Sequence, residues 1–278
     1  MGQHRREATI VGITALIVTT VVVLWLRIVP AEGQAVTYVA PRAADGKPNL
    51  SGIWQALNTA HWDIQDHMAR QGPVIPLGAA FSIAGGQGVV EGNEIPYQPW
   101  ALEKKRENQA NWMMRDPEIK CYMPGIPRAT YQPYPFQIVQ TPTHVLMAYE
   151  FAAASRVVYM DPKTEDGPGD FWMGWSRGRW EGETLVIDVT NFVDQTWFDR
   201  AGNFHSEALH VVERYTATSP DHLMYEATIE DPKVFTRPWK VSMPLYRRKE
   251  PRVQLVEYEC VEFAEELMYG HLQRRPGQ

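Results

Sequence analysis

The strongest constraint on the fold of this chain is a two-residue alternation that recurs in two adjoining hairpins within residues 174–229. In the first, Arg179-Trp180 lead into a Glu181-Gly182-Glu183 turn, after which Leu185, Ile187 and Val189 alternate with Thr184, Asp188 and Thr190. Successive side chains on a strand point to opposite faces, so this spacing gives one apolar and one polar face. Gly182 suits the positive φ that so tight a turn requires. In the second, Ser219-Pro220-Asp221-His222 form the turn, and Leu223, Tyr225, Ala227 and Ile229 face away from Met224, Glu226, Thr228 and Glu230. The pattern predicts an antiparallel sheet with a dry and a wet side.

Strand signals recur along most of the remaining chain, at residues 136–140, 144–151, 156–160, 175–180, 184–190, 209–217, 223–229, 239–246 and 253–261. An opening strand at Gly52-Ile53-Trp54 brings the expected total to about ten, at the regular spacing of antiparallel all-β folds. The fold class is therefore mainly β, an antiparallel barrel or sandwich of lipocalin-like form. Long irregular insertions interrupt it. Residues 58–97 carry Pro73, Pro76 and a Gly85-Gly86-Gln87-Gly88 cluster, and prolines at 124, 127, 133 and 135 predict an extended path over residues 121–135. One surface helix is expected at residues 99–114, where proline is tolerated in the first turn and Asp116-Pro117 ends the element.

Ahead of all this, residues 8–26 (ATIVGITALIVTTVVVLWL) are almost uninterruptedly apolar and follow His4, Arg5 and Arg6. At about 1.5 Å per residue such a helix just crosses a hydrocarbon core of roughly 30 Å. The basic residues before it predict a cytoplasmic N-terminus, a single-pass inner-membrane anchor over residues 1–29 and a periplasmic remainder. A cleaved signal peptide is the alternative, with small residues available in Ala31-Glu32-Gly33-Gln34-Ala35; the length of the apolar run favours a retained anchor. A linker over residues 30–47, a domain over 48–270 and a tail over 271–278 complete the expected division. The net charge of −6 and the absence of any basic stripe argue against nucleic acid as a partner. The two cysteines, Cys121 and Cys260, both fall in the extracytoplasmic part, where oxidising conditions favour a disulfide between them; two separate buried thiols are the alternative.

LSGIW from Leu50, CYMPGIPR from Cys121, WEGETLV from Trp180 and HSEALHVVERY from His205 form a set of motifs. Together they resemble a group of bacterial exported or membrane-anchored proteins that share an LSG-x-W start, a C-x-P-G-x-P-R segment and a W-E-G-[DE]-T-L-V hairpin. The resemblance covers residues 48–270, implies one exported β-rich domain and brings no reaction with it.

Candidate chemistry is sparse. His61, Asp63 and His67 would share one face of a strand and are weak metal candidates, without a matching ligand motif. In the loop between the central hairpins, Asp199, His205 and Glu207, beside Asp194, Ser206 and His210, offer an acid and an imidazole for acid–base work; no nucleophile elbow accompanies them. No catalytic set and no cofactor is expected. Arg128 reads as an anion ligand or a guanidinium stacked on a ring, and Glu213-Arg214 as charges solvated or bridged across strands. The ten tryptophans and twelve tyrosines decide more, since such rings enrich ligand-lined barrels and interfaces. Trp54, Tyr131, Tyr134, Trp180, Trp197 and Phe198 are the expected ligand or interface positions. These features predict a membrane-anchored extracytoplasmic binding or structural module, an accessory subunit docking on an integral-membrane complex of respiratory or photosynthetic type. The alternatives are a lipocalin-like carrier of a lipid or pigment and an acid–base enzyme on a hydrophobic substrate.

Overall fold

A computed structural model describes residues 38–72 and 74–272. The expected anchor, residues 30–37 of the linker and residues 273–278 lie outside the described residues. Among the described residues no helix is long and apolar enough to cross a membrane.

Nine strands close into one mixed barrel in chain order. They are β1 (Gly52–Ala56), β2 (Phe136–Gln140), β3 (His144–Tyr149), β4 (Ser155–Tyr159), β5 (Trp175–Glu181), β6 (Thr184–Thr190), β7 (His210–Ser219), β8 (His222–Glu230) and β9 (Trp239–Arg247). Closure comes from antiparallel pairing of β9 with β1, Gln55 opposite Tyr246. An odd ring cannot be antiparallel throughout, because each antiparallel step reverses direction and the last strand must match the first. One parallel step is required, and β4 to β5 supplies it. The antiparallel expectation holds at every other pair.

The central hairpins form as their alternation predicts. Leu185, Tyr215, Tyr225 and Met243 stand abreast on β6 to β9, followed by Ile187, Glu213, Ala227 and Val241, then by Val189, Val211, Ile229 and Trp239. All twelve are buried. With Trp54, Phe136, Met147 and Tyr149 from the opposite strands they form one core that fills the barrel. The Glu181-Gly182-Glu183 turn has Gly182 at φ 60°, where only glycine is unstrained.

Charge sits at the centre of this core. Arg156 of β4 reaches inward and meets Glu213 with both terminal nitrogens, Nη1 donating to Oε2 at 2.6 Å and Nη2 to Oε1 at 3.0 Å. The hydroxyls of Tyr215 and Tyr225 donate to the same Oε1 at 3.0 and 2.9 Å, and Arg156 Nε donates to the Tyr149 hydroxyl at 3.1 Å. Burying an ion pair is compensated only when the remaining lone pairs and protons are satisfied in this way. Glu213 is thus an interior residue, not a solvated one; its neighbour Arg214 points outward and pairs with Glu181 at 2.9 Å.

Outside the barrel the expected surface helix begins as predicted, α1 over Pro99–Ala110, and then breaks at Asn111 before the single turn α2, Trp112–Arg115. The segment expected to be wholly extended contains a one-turn helix, α3 (Arg128–Tyr131), which starts directly after Pro127 and so escapes the proline exclusion. Arg128 of that turn is buried, and carboxylates of the chain itself occupy its terminal nitrogens. It forms ion pairs with Asp116 at 2.7 Å and Glu118 at 2.7 Å. Glu118 continues to Arg200 at 2.6 Å, whose guanidinium lies 4.7 and 5.1 Å from the rings of Trp62 and Trp112. Burial would raise the Glu118 pKa, but Arg200 and Arg128 outweigh it and hold the carboxyl down at about 2.

Residues 253–261 do not form the expected tenth strand. The ring is already closed, so no edge remains to receive them. They run outside the barrel to Cys260, which forms the expected disulfide with Cys121. Beyond it, the Phe263 amide donates to the Ile119 carbonyl at 2.8 Å and the short helix α4 (Ala264–Tyr269) begins. There Phe263, Tyr269 and Leu272 cover a second, smaller core of Val74, Trp112, Met113 and Ile119.

Candidate functional site

The loop between β6 and β7 holds most of the predicted polar candidates. Its conformation is set by Gly202, at φ 83°, where the loop comes so close to α1 that a Cβ would lie 2.7 Å from the Lys105 carbonyl oxygen. The next residue, Asn203, takes a hydrogen bond from the Tyr97 hydroxyl at 2.8 Å and gives one to Asp199 Oδ2 at 2.6 Å. Asp199 also accepts from the Ile64 amide at 2.9 Å, which ties the 58–97 excursion to the loop. Burial and, next, the nearby Asp63 push the Asp199 carboxyl up to about 7.

His205 is buried between Phe192 and Phe198. Its Nδ1 lies 2.8 Å from the Ser206 carbonyl oxygen and must donate there, which leaves Nε2 to accept from the Thr196 hydroxyl at 2.6 Å. Burial holds its pKa below the ordinary histidine value, in keeping with this neutral form. The acid and the imidazole are therefore both enclosed and bonded to different partners, and no acid–base pair is assembled from them. The Ser206 hydroxyl donates to Asp231 at 2.9 Å, and Glu207 is exposed and pairs with Lys233. His210 lies on the outer face between Asp188 at 3.2 Å and Glu230 at 3.4 Å, and the Asp188 bond, foremost, raises its pKa.

Two of the metal candidates, Asp63 and His67, are bonded to backbone groups. His67 bonds to the carbonyls of Gln65 and Ala84 at 2.9 and 3.1 Å, Asp63 accepts from the Gln65 amide at 3.1 Å, and burial lowers His61 to about 4. No group of three or more histidine, cysteine, aspartate or glutamate side chains among the described residues could hold a metal ion.

Three of the predicted interface rings are core residues. Trp54, Tyr131 and Phe198 are buried: the Trp54 indole donates to the Leu50 carbonyl at 2.9 Å beneath the guanidinium of Arg247, and the Tyr131 hydroxyl donates to the Phe198 carbonyl at 2.7 Å. Tyr134, Trp180 and Trp197 remain partly exposed. The carrier alternative needed an open interior, and the positions that would line it, Leu185, Ile187, Tyr225 and Val241, are packed into the core.

Two surface features among the described residues bring apolar and aromatic side chains together. The first is on the outer face of β2, β3 and β4, where Val139, Leu146 and Val157 stand in cross-strand register and are each 38 to 40% exposed. Val157 also lines a cleft of about 380 Å³ shared with Met123, Tyr159, Phe171, Trp172 and Trp175. Tyr159 and Trp175 stack there at 4.6 Å, and Tyr122 meets Trp172 at 4.8 Å. The second is a cleft of about 590 Å³ between α1 and the 194–206 loop, whose lining includes Trp100, Trp197, Phe204 and Asp194. The sequence reading missed Arg156, the Asp116–Arg128–Glu118 network, Trp100 and the apolar stripe. The stripe had a visible signal: in QIVQ, HVLMAY and RVVY, apolar residues occupy both faces instead of alternating.

No protein-family model, curated protein or solved structure matches the chain.

Proposed function

We propose that this chain is a membrane-anchored, extracytoplasmic docking module, an accessory subunit that binds an integral-membrane protein complex through the outer face of β2, β3 and β4. The observation that carries the reading is the register of Val139, Leu146 and Val157 and the continuation of that stripe into the aromatic cleft of Trp172 and Trp175. An outward row of half-exposed aliphatic side chains leading into partly exposed rings is the surface expected of an interaction site. Residues 8–26 supply the tether in this reading and hold the barrel at the membrane surface, and the resemblance to exported proteins agrees with it.

Gentle-detergent extraction from native membranes, followed by native size analysis and mass spectrometry, tests the proposal. Wild-type chain is expected to travel with a large membrane complex, and Leu146→Asp to travel alone while retaining its thermal stability. Wild-type chain migrating alone, or Leu146→Asp retained in the complex, refutes it.

A further inference from the structure

We infer that the cleft between α1 and the 194–206 loop receives a cationic side chain, an arginine or lysine presented by the partner; the inference rests on the docking reading and names the chemistry of one of its contacts. The walls are aromatic and already fixed. Trp100, in the first turn of α1, is 55% exposed and meets Phe204 edge-on at 6.1 Å. Phe204 is stacked on Tyr97 at 6.2 Å and bridged through its backbone to Trp197. Rings held in this way offer their negative π-faces to a cation without further ordering.

The polar lining selects the sign of the ligand. Glu103, Glu107 and Asp194 are the acids of the lining, and Lys104 is its cation. Glu107 is engaged by Lys104 and Arg115, and Glu103 by Arg106. Asp194 differs from them: it is exposed and has no ion pair or hydrogen bond to any described residue. Asp194 is thus the unpaired charge at the mouth of the cleft, and a neutral group would leave it to water alone. An alkylammonium or guanidinium answers it while its methylene stem lies along the rings, and a planar guanidinium can also stack on Trp100. At about 590 Å³ the cleft has room for one such side chain.

The test uses the full chain in detergent and two nearly isosteric probes, N-acetyl-arginine amide and the uncharged N-acetyl-citrulline amide, compared by ligand-observed NMR titration. Saturable binding of the arginine probe is expected, with citrulline weaker by about tenfold. Asp194→Asn and Trp100→Ala should each weaken the arginine probe by about fivefold, the order of one partly exposed cation–π or ion contact. Leu146→Asp, on the other surface, should leave probe binding unchanged. Equal affinity for the two probes, no saturable binding, or an Asp194→Asn variant that binds arginine as wild type does would overturn the inference. Should Trp100→Ala misfold, the probe comparison and Asp194→Asn still decide it. The two proposals fail separately: a chain that migrates alone but discriminates the probes refutes the docking reading only, and a chain that travels with the complex but ignores both probes refutes the cation site only.

Discussion

The ion pair enclosed by the barrel yields the sharpest stability prediction. Arg156 and Glu213 have side chains 2% and 0% exposed, so neither charge can turn to water if its partner is removed. Arg156→Met leaves the Glu213 carboxylate with two tyrosine hydroxyls and no cation, and Glu213→Gln leaves a guanidinium with no anion. Each should cost about 3–5 kcal/mol, the usual result of breaking a buried pair from one side. For a domain of this size that corresponds to a fall in Tm of about 10 °C. The double variant, Arg156→Met with Glu213→Gln, should behave differently. The glutamine oxygen still accepts from Tyr215 and Tyr225, and no lone charge is left inside. We expect it to recover at least about 2 kcal/mol relative to the sum of the single losses, the coupling typical of directly bonded groups. Thermal and urea unfolding of the full chain, followed by near-UV circular dichroism, reads all four species. If the double variant loses the simple sum, or if either single variant costs less than about 1 kcal/mol, the charges are not enclosed as described.

Reducing Cys121–Cys260, or replacing both residues by serine, should cost about 4–5 kcal/mol, since the crosslink spans 139 positions of sequence; limited proteolysis should then cut first near α4, which loses its covalent tie to the second core. Two groups should contribute stability that is lost as pH rises, against the opposite contributions of His61 and His205, whose lowered pKa values favour the folded state as pH rises toward about 6.5. Asp199, lifted from 3.8 to about 7 by burial and then by Asp63, favours the folded state when protonated, and that contribution is lost as pH climbs through about 7. His210, raised chiefly by its bond to Asp188, contributes fully below the ordinary histidine pKa of about 6.5 and loses that contribution at higher pH. The stability difference between wild type and Asp199→Asn should shrink as pH rises from about 4 to about 7, and that between wild type and His210→Gln should shrink as pH rises above about 6.5; a difference that stays flat over its window contradicts that assignment.

How much of this was legible follows from the range of the forces involved. The β5–β6 and β7–β8 hairpins were readable because alternation and turn chemistry are local, and Gly182 occupies the conformation its turn demands. Glu213 was readable too, and the adjacent charge of Arg214 obscured it: in Val211, Glu213 and Tyr215 the two-residue period places the acid between two apolar neighbours, hence inside. Residues 253–261 carry a genuine strand pattern, and only closure of the ring, a property of the whole sheet, denies them a place. Buried partnerships such as Arg128 with Asp116, or Asp199 with the Ile64 amide 135 positions away, depend on chain paths that no local period encodes. Asp194, Asp199, His205 and Glu207 share the one loop between β6 and β7 because they are close in sequence; what the loop does with them, fastening itself to α1 and to the 58–97 excursion, is a tertiary outcome.

The parallel step that closes the odd ring also sets where the barrel yields. β4 and β5 are registered only at Val158 with Ser176 and Tyr159 with Arg177, whereas their antiparallel neighbours are paired over most of their length. In native-state hydrogen exchange this seam is where sub-global opening should begin, ahead of the β6–β9 amides. The stacked pair Tyr159 and Trp175 lies across it, in the cleft that continues the apolar stripe. A partner seated on that face would therefore act as a clasp on the seam, and slower exchange at β4 and β5 would register its arrival.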